Sequence, residues 1–404
     1  MRILTFTSLF PNAVQPWHGI FVYQRVAHLA RRPGNMVTVV APVPYLPSWI
    51  PFRRWREAGD IPRREKFGDL DVYHPRYFLL PKISMPFHGQ LIFEGSVPLV
   101  RQLHEQLKFD CIDAHYVYPD GFAALLLGRR LGIPVIVSAR GTDITLFPSF
   151  RRIKPKIQWT LEHAAGAIGV CEALKNSMLE LGSPAESTRA IGNGVDPARF
   201  APVDRRAARR KLDISEDAEV AVVVGNLVPV KGHQLLIAAI ARLVDRHPKI
   251  KLYIVGEGSL RANLEMQAVQ EGLQERIVFV GRKPNEELKD WYSAADVSCL
   301  ASSREGWANV LLESLACGTP VVATRVWGAP EVITSPELGI LVEQTVESIS
   351  EGLDAALRKE WNREALVRYA ALRTWDVVAE EVEDFFGDRV GAGRRVTSGM
   401  SEVH

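Results

Sequence analysis

The sequence is short of the features that mark several functional classes. It has four cysteines, Cys111, Cys171, Cys299 and Cys317, far apart and in apolar surroundings, with no C-x-x-C pair. They read as small buried hydrophobes in a reducing compartment, not as disulfides or zinc ligands. No charge-free apolar run reaches the ~18 residues that span a bilayer. The opening stretch, MRILTFTSLFPNAV, is broken by Thr5, Thr7 and Ser8 and stopped by Pro11, so it does not read as a signal peptide. The expectation is a cytoplasmic protein, at most peripheral to the cytoplasmic face of the inner membrane. A net charge of +2 gives no argument for nucleic acid.

Nucleotide-binding fingerprints are missing too. The segment after the first strand, LFPNAVQPWHGIF, has one glycine where a dinucleotide site needs G-x-G-x-x-G, and GEGSLR from Gly256 lacks the last glycine. GNLVPVKG has a lysine but neither the spacing nor the Ser/Thr of a P-loop. An Asp-x-Asp metal motif is present as Asp69 and Asp71, but Asp71 opens an expected strand and reads as a solvated strand edge.

What is present is a long alternation of short Val/Ile-rich segments and amphipathic stretches. At 404 residues two domains are expected. Strands are expected at 2–8, 36–42, 70–75, 111–116, 134–139, 165–170 and 188–193, with helices between most of them, including 20–31 and 120–131. This is the pattern of a parallel, doubly wound sheet. Residues 195–219 are rich in charge and proline and are expected to be a linker. A second series then follows, with strands at 220–225, 251–256, 276–281, 296–301, 320–325 and 339–342, and helices at 232–246, 259–272, 285–294, 309–317 and 346–359. The fold class is therefore α/β, two Rossmann-like domains about a cleft, 1–194 and 220–373. The stretch after Gly391 is expected to be disordered.

Two strand-to-helix turns stand out. Gly19 precedes one helix and Lys231-Gly232 another. Such turns aim unpaired amides and a helix dipole outward, and glycine lets an anion approach the backbone. A metal-free diphosphate site and an ordinary loop both fit this spacing. In SREGWANVLLESLACGTPVV, Glu305 falls in a loop and Glu313 within a helix that Asn309 is expected to cap. A carboxylate can accept two hydroxyl hydrogen bonds, as a vicinal diol offers. A capping acid and a solvated helix acid remain the plain alternative.

Taken together, these segments resemble the retaining glycosyltransferases of family 4, which have the GT-B fold. The E-x7-E pair Glu305…Glu313 is followed by LACGTPVVAT and GAPEVI in the family's order. IGNGVDPARF (191–200), VGNLVPVKG (224–232), SARGTDI (138–144) and TW at 374–375, opening a helix of about 374–390 that crosses back to the first domain, complete the likeness. The resemblance implies a hexosyltransferase using a nucleotide-diphosphate sugar, UDP favoured over GDP, with no catalytic metal or other cofactor. It implies that Lys231 neutralises the leaving diphosphate and Glu313 holds the ribose hydroxyls. Glu305 lies near the donor sugar, Trp307, Ala308, Asn309 and Val310 offer backbone amides, and Gly19 leaves room for the phosphates. The segment at 281–283 borders the base. No residue is a secure covalent nucleophile; front-face displacement is the usual proposal.

Two departures matter. Asn226 stands where many members have Arg, with Arg282 or Arg140 as the compensating cation, and Arg140 replaces a frequent His. Both resemble a subgroup linked to cell-surface and exopolysaccharide assembly. Acceptor-side candidates are His115 and Asp143, with a structural His115 the alternative. FRRWREAGDIPRREKF (52–67) is either a contact for an anionic membrane bearing a lipid-linked acceptor or a solvated loop. Two other functional readings stand: a nucleotide-sugar epimerase or hydrolase of the same fold, and a non-catalytic nucleotide-sugar-binding subunit.

Overall fold

The central strands of the first sheet are largely apolar on both faces and buried throughout. A computed structural model describes residues 1–45, 57–79 and 84–399, and of Glu57 and 392–399 the backbone alone. The chain divides into two units, Met1–Asn193 with the chain from Trp375 onward, and Gly194–Thr374.

The first unit holds β1 (Arg2–Phe6), β2 (Met36–Val40), β3 (Val43–Tyr45), β4 (Arg64–Phe67), β5 (Leu70–Tyr73), β6 (Arg76–Phe78), β7 (Cys111–His115), β8 (Val135–Ala139), β9 (Gly166–Gly169) and β10 (Thr188–Ala190). Its main sheet has the order β10-β9-β8-β7-β1-β2-β5-β4, parallel except for β4, which runs antiparallel to β5. Every residue of β7 and β8 is buried, as expected of parallel strands covered by helices on both faces. Asp71 is the second residue of β5, its side chain 39% exposed, which is the solvated position expected of it. β4 covers β5, and Asp71 pairs with Arg64 across that hairpin at 3.0 Å.

The helix Trp375–Gly399 closes this unit. Trp375, Val378, Val382, Phe385, Phe386 and Val390 repeat at helical spacing and bury against Ile3, Leu29, Cys111, Ile136 and Ile168. Burying each phenylalanine contributes about 2–3 kcal/mol. His28–Asp376 at 2.6 Å and Arg32–Glu383 fix the helix's rotation. The helix continues past Gly391, where disorder was expected, to Gly399; no proline interrupts it.

The second unit contains β11 (Glu219–Val224), β12 (Ile250–Val255), β13 (Ile277–Gly281), β14 (Val297–Leu300), β15 (Val321–Thr324) and β16 (Gly339–Val342), all parallel, in the order β13-β12-β11-β14-β15-β16. The segment 195–219 is not a linker. It belongs to this unit and carries the helix Arg205–Lys211. Its sparse apolar residues Phe200, Ala208 and Ile214 are buried, and Arg209 anchors to Asp296 at 2.9 Å and to the Ala294 carbonyl at the same distance. Val195 bridges Thr374 where the chain enters and leaves this unit.

In both sheets the strand order reverses at the first strand of the unit, between β1 and β7 and between β11 and β14. The helices then leave to opposite faces, and a crevice opens outside the carboxyl ends of those strands. Those two crevices, each within its own unit, hold most of the residues singled out above.

Candidate active site

In the second unit the loops after β11 and β14 meet. Ser303 N donates to the Val230 carbonyl at 2.8 Å, joining them. Lys231 Nζ, 24% exposed, lies 2.5 Å from Glu305 Oε1. Ser302 Oγ donates to the same oxygen at 2.6 Å. The Ser302 carbonyl is itself held by Thr324 Oγ1 at 2.6 Å, at the end of β15. A cation and a carboxylate therefore stand together at the crevice mouth, supported from three strands.

Gly232 starts the helix His233–Ala241, which ends five residues before the expected Arg246. Its φ is +65°, and a Cβ there would stand 2.1 Å from the Ala301 carbonyl oxygen. Only glycine permits this approach. His233 Nε2 bonds the exposed Asn226's carbonyl at 3.1 Å. Burial lowers His233 to about 4, so the ring is neutral and that nitrogen donates.

After β14 the loop carries Glu305, Trp307 and Ala308 into the helix Asn309–Ala316. The N-cap is Ala308, without a side-chain cap, so Asn309 does not cap as expected; it is the first helical residue. The Asn309 amide is turned back to the Trp307 carbonyl at 3.1 Å, and Val310 follows within the first turn. The indole Nε1 of Trp307 is buried with no hydrogen-bond partner among the described residues. Glu313 Oε2 accepts from Tyr292 Oη at 3.1 Å. Burial pushes its carboxyl up to about 7, against the lowering effect of that hydroxyl. Arg282 follows Gly281 at the end of β13 and is exposed.

The first unit has a corresponding crevice. Gly19, φ +65°, starts the helix Ile20–Arg31, and a Cβ there would lie 2.3 Å from the Leu9 carbonyl oxygen. The loops after β1 and β7 meet at Asp120, whose Oδ2 accepts from Ser8 N at 3.1 Å and Ser8 Oγ at 2.8 Å. Its Oδ1 is buried with no hydrogen-bond partner among the described residues. Burial raises Asp120 to about 7, the two Ser8 bonds opposing.

Beside it runs a chain of buried charges. Arg25, 1% exposed, donates to Asp113 Oδ1 at 3.1 Å and Ser138 Oγ at 2.9 Å. His115 lies 3.0 Å from Asp113 Oδ2 through Nε2, and its Nδ1 faces an Arg140 nitrogen. The carboxylate can only accept and the guanidinium can only donate, so the imidazole is neutral with its proton on Nε2. Burial lowers His115 to about 3, in agreement. Burial acts to raise Asp113, but Arg25, His115 and Arg140 together hold it at about 2. Arg140 also reaches Asn193 Oδ1 at 3.3 Å and lies over the Phe21 ring at 5.6 Å. Burial, with Arg25 adding to it, lowers Arg140 to about 9.

Two acceptor-side expectations change here. His115 and Asp143 are both fully buried. Asp143 accepts from the amides of Val117, Arg140 and Gly141 at 2.8, 3.0 and 2.9 Å, so it holds the Arg140 loop's backbone. His115 positions the same guanidinium. Neither reaches a ligand directly in this geometry. Of 52–67, residues 52–56, with Phe52 and Trp55, lie outside the described residues. In the remainder Arg64 pairs with Asp71, and Glu65 bonds His74 and the Ala13 amide.

Sequence reasoning missed Arg25, Asp113, Asp120 and Tyr292. Arg25 had a visible signal: it interrupts the buried stripe Val22, Val26, Leu29 at helical spacing. Asp113 and His115 alternate along β7 with Ile112 and Ala114.

Comparison with known proteins places the chain in a family. The family described as "Glycosyltransferase Family 4" matches residues 19–199, and "Glycosyl transferases group 1" matches 204–373. A Bacillus subtilis protein described as a teichuronic acid biosynthesis glycosyltransferase, TuaC, is 26% identical over 87% of this chain and 88% of its own. The D-inositol 3-phosphate glycosyltransferase of Kribbella flavida is 34% identical over 71% of this chain and 73% of its own. Among solved structures, Anabaena HepE in complex with UDP superposes with a TM-score of 0.68 at 18% identity, covering 100% of both chains. Two Rossmann-like units, two family matches in sequence order and these relatives lead to one statement: the chain belongs to the family 4 glycosyltransferases of the GT-B fold and is a hexosyltransferase.

Proposed function

We propose that the protein is a metal-independent, retaining transferase that moves a hexosyl unit from a nucleoside-diphosphate sugar to a glycan or lipid-linked acceptor in polysaccharide or glycolipid biosynthesis. The observation that carries this reading is the meeting of Lys231 and Glu305 at the β11/β14 crevice. Lys231 and the amides that follow Gly232 bind the diphosphate and stabilise the charge that develops on it as the glycosidic bond breaks. Glu305 holds that ammonium in place and turns its other oxygen to the donor sugar. Glu313, ionised, accepts the ribose hydroxyls, and Trp307 Nε1 gives its unused proton to the sugar or a phosphate. Arg140, fixed by His115 and Asn193, offers a cation within the first unit's own crevice. Asn226 gives no charge, and exposed Arg282 at the end of β13 takes that part.

The nucleotide is UDP in preference to GDP; HepE, of the same fold, is known in complex with UDP. With no residue assigned as covalent nucleophile, retention follows from departure of the diphosphate and entry of the acceptor on one face. The acceptor is a cell-surface glycan precursor, the class to which the TuaC description points.

Thermal shift with UDP-, GDP- and ADP-hexoses tests the donor, since a ligand of the folded state raises stability with its concentration over its affinity. Product formation on a panel of alkyl glycosides, with the new anomeric centre read by NMR, tests the rest. Transfer with retained configuration supports the proposal. Inverted product, or free sugar or epimer in the presence of acceptor, contradicts it.

A further inference from the structure

From Ile144 to Leu161 the chain has four basic residues, Arg151, Arg152, Lys154 and Lys156, and no acidic one. A solvated surface normally mixes the two signs. Arg151, Arg152 and Lys154 are exposed and take part in no ion pair among the described residues. Large apolar side chains stand among them: Phe150 is 42% exposed and Leu146 37%, and Phe87, in a neighbouring turn, is 60% exposed. Lys156 ties the two segments together. Its ammonium donates to the Pro86 carbonyl and lies 5.7 Å from the Phe87 ring and 5.2 Å from Phe122.

From this we propose that the surface formed by Leu146–Lys154 and Phe87 docks onto an anionic lipid bilayer. The chemistry fits both layers of such a surface. Phenylalanine and leucine enter the boundary between headgroups and acyl chains, while arginine and lysine meet lipid phosphates. The short helices Thr142–Thr145 and Phe147–Ser149 hold the face rigidly, with Phe147 edge-on to Tyr116 at 6.2 Å. An acidic protein partner would account for the cations alone; the exposed rings favour the bilayer. This face begins five residues after Gly141, following the loop that Asp143 pins. If the transfer reading above is right, docking here brings a membrane-borne acceptor to Arg140. The docking proposal itself rests on the surface alone.

Flotation of the full chain with lipid vesicles tests it without any activity readout. The chain is expected to float with vesicles of phosphatidylcholine containing a minority of phosphatidylglycerol, to stay behind with phosphatidylcholine alone, and to be released by raised salt. Each cation near such a surface is worth about fivefold in partitioning. The triple variant Arg151→Gln, Arg152→Gln, Lys154→Gln should therefore partition roughly a hundredfold more weakly. Phe87→Ser with Phe150→Ser should also lose binding; both positions are exposed, so circular dichroism should not change. Equal flotation with neutral vesicles, or a triple variant that binds like wild type, overturns the proposal. So does retention on heparin without flotation on the mixed vesicles. Failure of donor turnover would leave these results as they are, so the two readings fail separately.

Discussion

Lys231 Nζ stands 2.5 Å from Glu305 Oε1, and the two residues are 74 positions apart in sequence. They meet because β11 and β14 are neighbours in a sheet whose order reverses between them. An ammonium held this way is aimed before any ligand arrives, which lowers the cost of organising the site during the reaction.

Removing the ammonium should reduce donor turnover. A charge-assisted contact contributes roughly 1.5–3 kcal/mol, so Lys231→Ala should lower kcat/KM for the donor by about 10- to 150-fold. Glu305→Gln should act in the same direction by loosening Lys231. Steady-state kinetics at limiting donor checks both.

Glu313 gives the site a pH dependence. Its carboxyl is raised to about 7 in the folded protein. An ionised carboxylate accepts two hydroxyl bonds better than a neutral acid, so donor KM should fall as pH rises through about 7 and level off above it. In Glu313→Gln that pH dependence should vanish. Stability moves the other way. The folded state keeps the proton up to a higher pH than the unfolded chain does, so stability is lost as pH rises from the ordinary carboxyl range to about 7. Asp120, also raised to about 7, adds to the same loss. Asp120→Asn and Glu313→Gln should each flatten the fall in melting temperature between those pH values.

The Arg25–Asp113 pair predicts a non-additive pair of mutations. Both side chains are buried, and removing one leaves the other charge uncompensated. Arg25→Met should cost about 3–5 kcal/mol in urea unfolding. Adding Asp113→Leu should recover part of this if His115 and Arg140 repack. A purely additive double mutant would contradict the coupling.

Two glycines with nearly equal φ separate backbone conformation from crowding. Gly272, φ +69°, has nothing within 4 Å of a built Cβ, whereas Gly232, φ +65°, has the Ala301 carbonyl oxygen at 2.1 Å. Gly272→Ala should cost about 1 kcal/mol from the left-handed backbone alone. Gly232→Ala should cost several times more and displace the Lys231 loop, measured by thermal unfolding and donor affinity together.

Metal chelation tests the metal-free reading. Activity is expected to survive EDTA. Loss restored by Mg2+ or Mn2+ would return attention to Asp69 and Asp71.

How far the sequence speaks depends on whether a signal is periodic or conformational. The Val-rich strands and the E-x7-E segment carry their own periodicity, and each expected strand of the two main sheets is present in the fold. β4 was hidden because Arg64, Glu65 and Lys66 give an edge strand no apolar alternation. The segment 195–219 looked like a linker because a few scattered buried apolar residues among many charges carry too little pattern, while the anchor that places it, Arg209 to Asp296, joins residues 87 apart. For the site, loops after neighbouring strands could be paired once the sheet order was known. Sequence spacing alone cannot show that order, nor that His115 and Asp143 face inward to Arg140 and its loop.

Calorimetric titration of UDP and GDP into wild type, Lys231→Ala and Glu313→Gln addresses the central claim, that the β11/β14 crevice grips a nucleoside diphosphate. The account predicts that wild type binds UDP more tightly than GDP, and that each variant binds UDP at least tenfold more weakly, in line with one charge-assisted contact. Absence of binding by either diphosphate, or affinities unchanged in both variants, would contradict it.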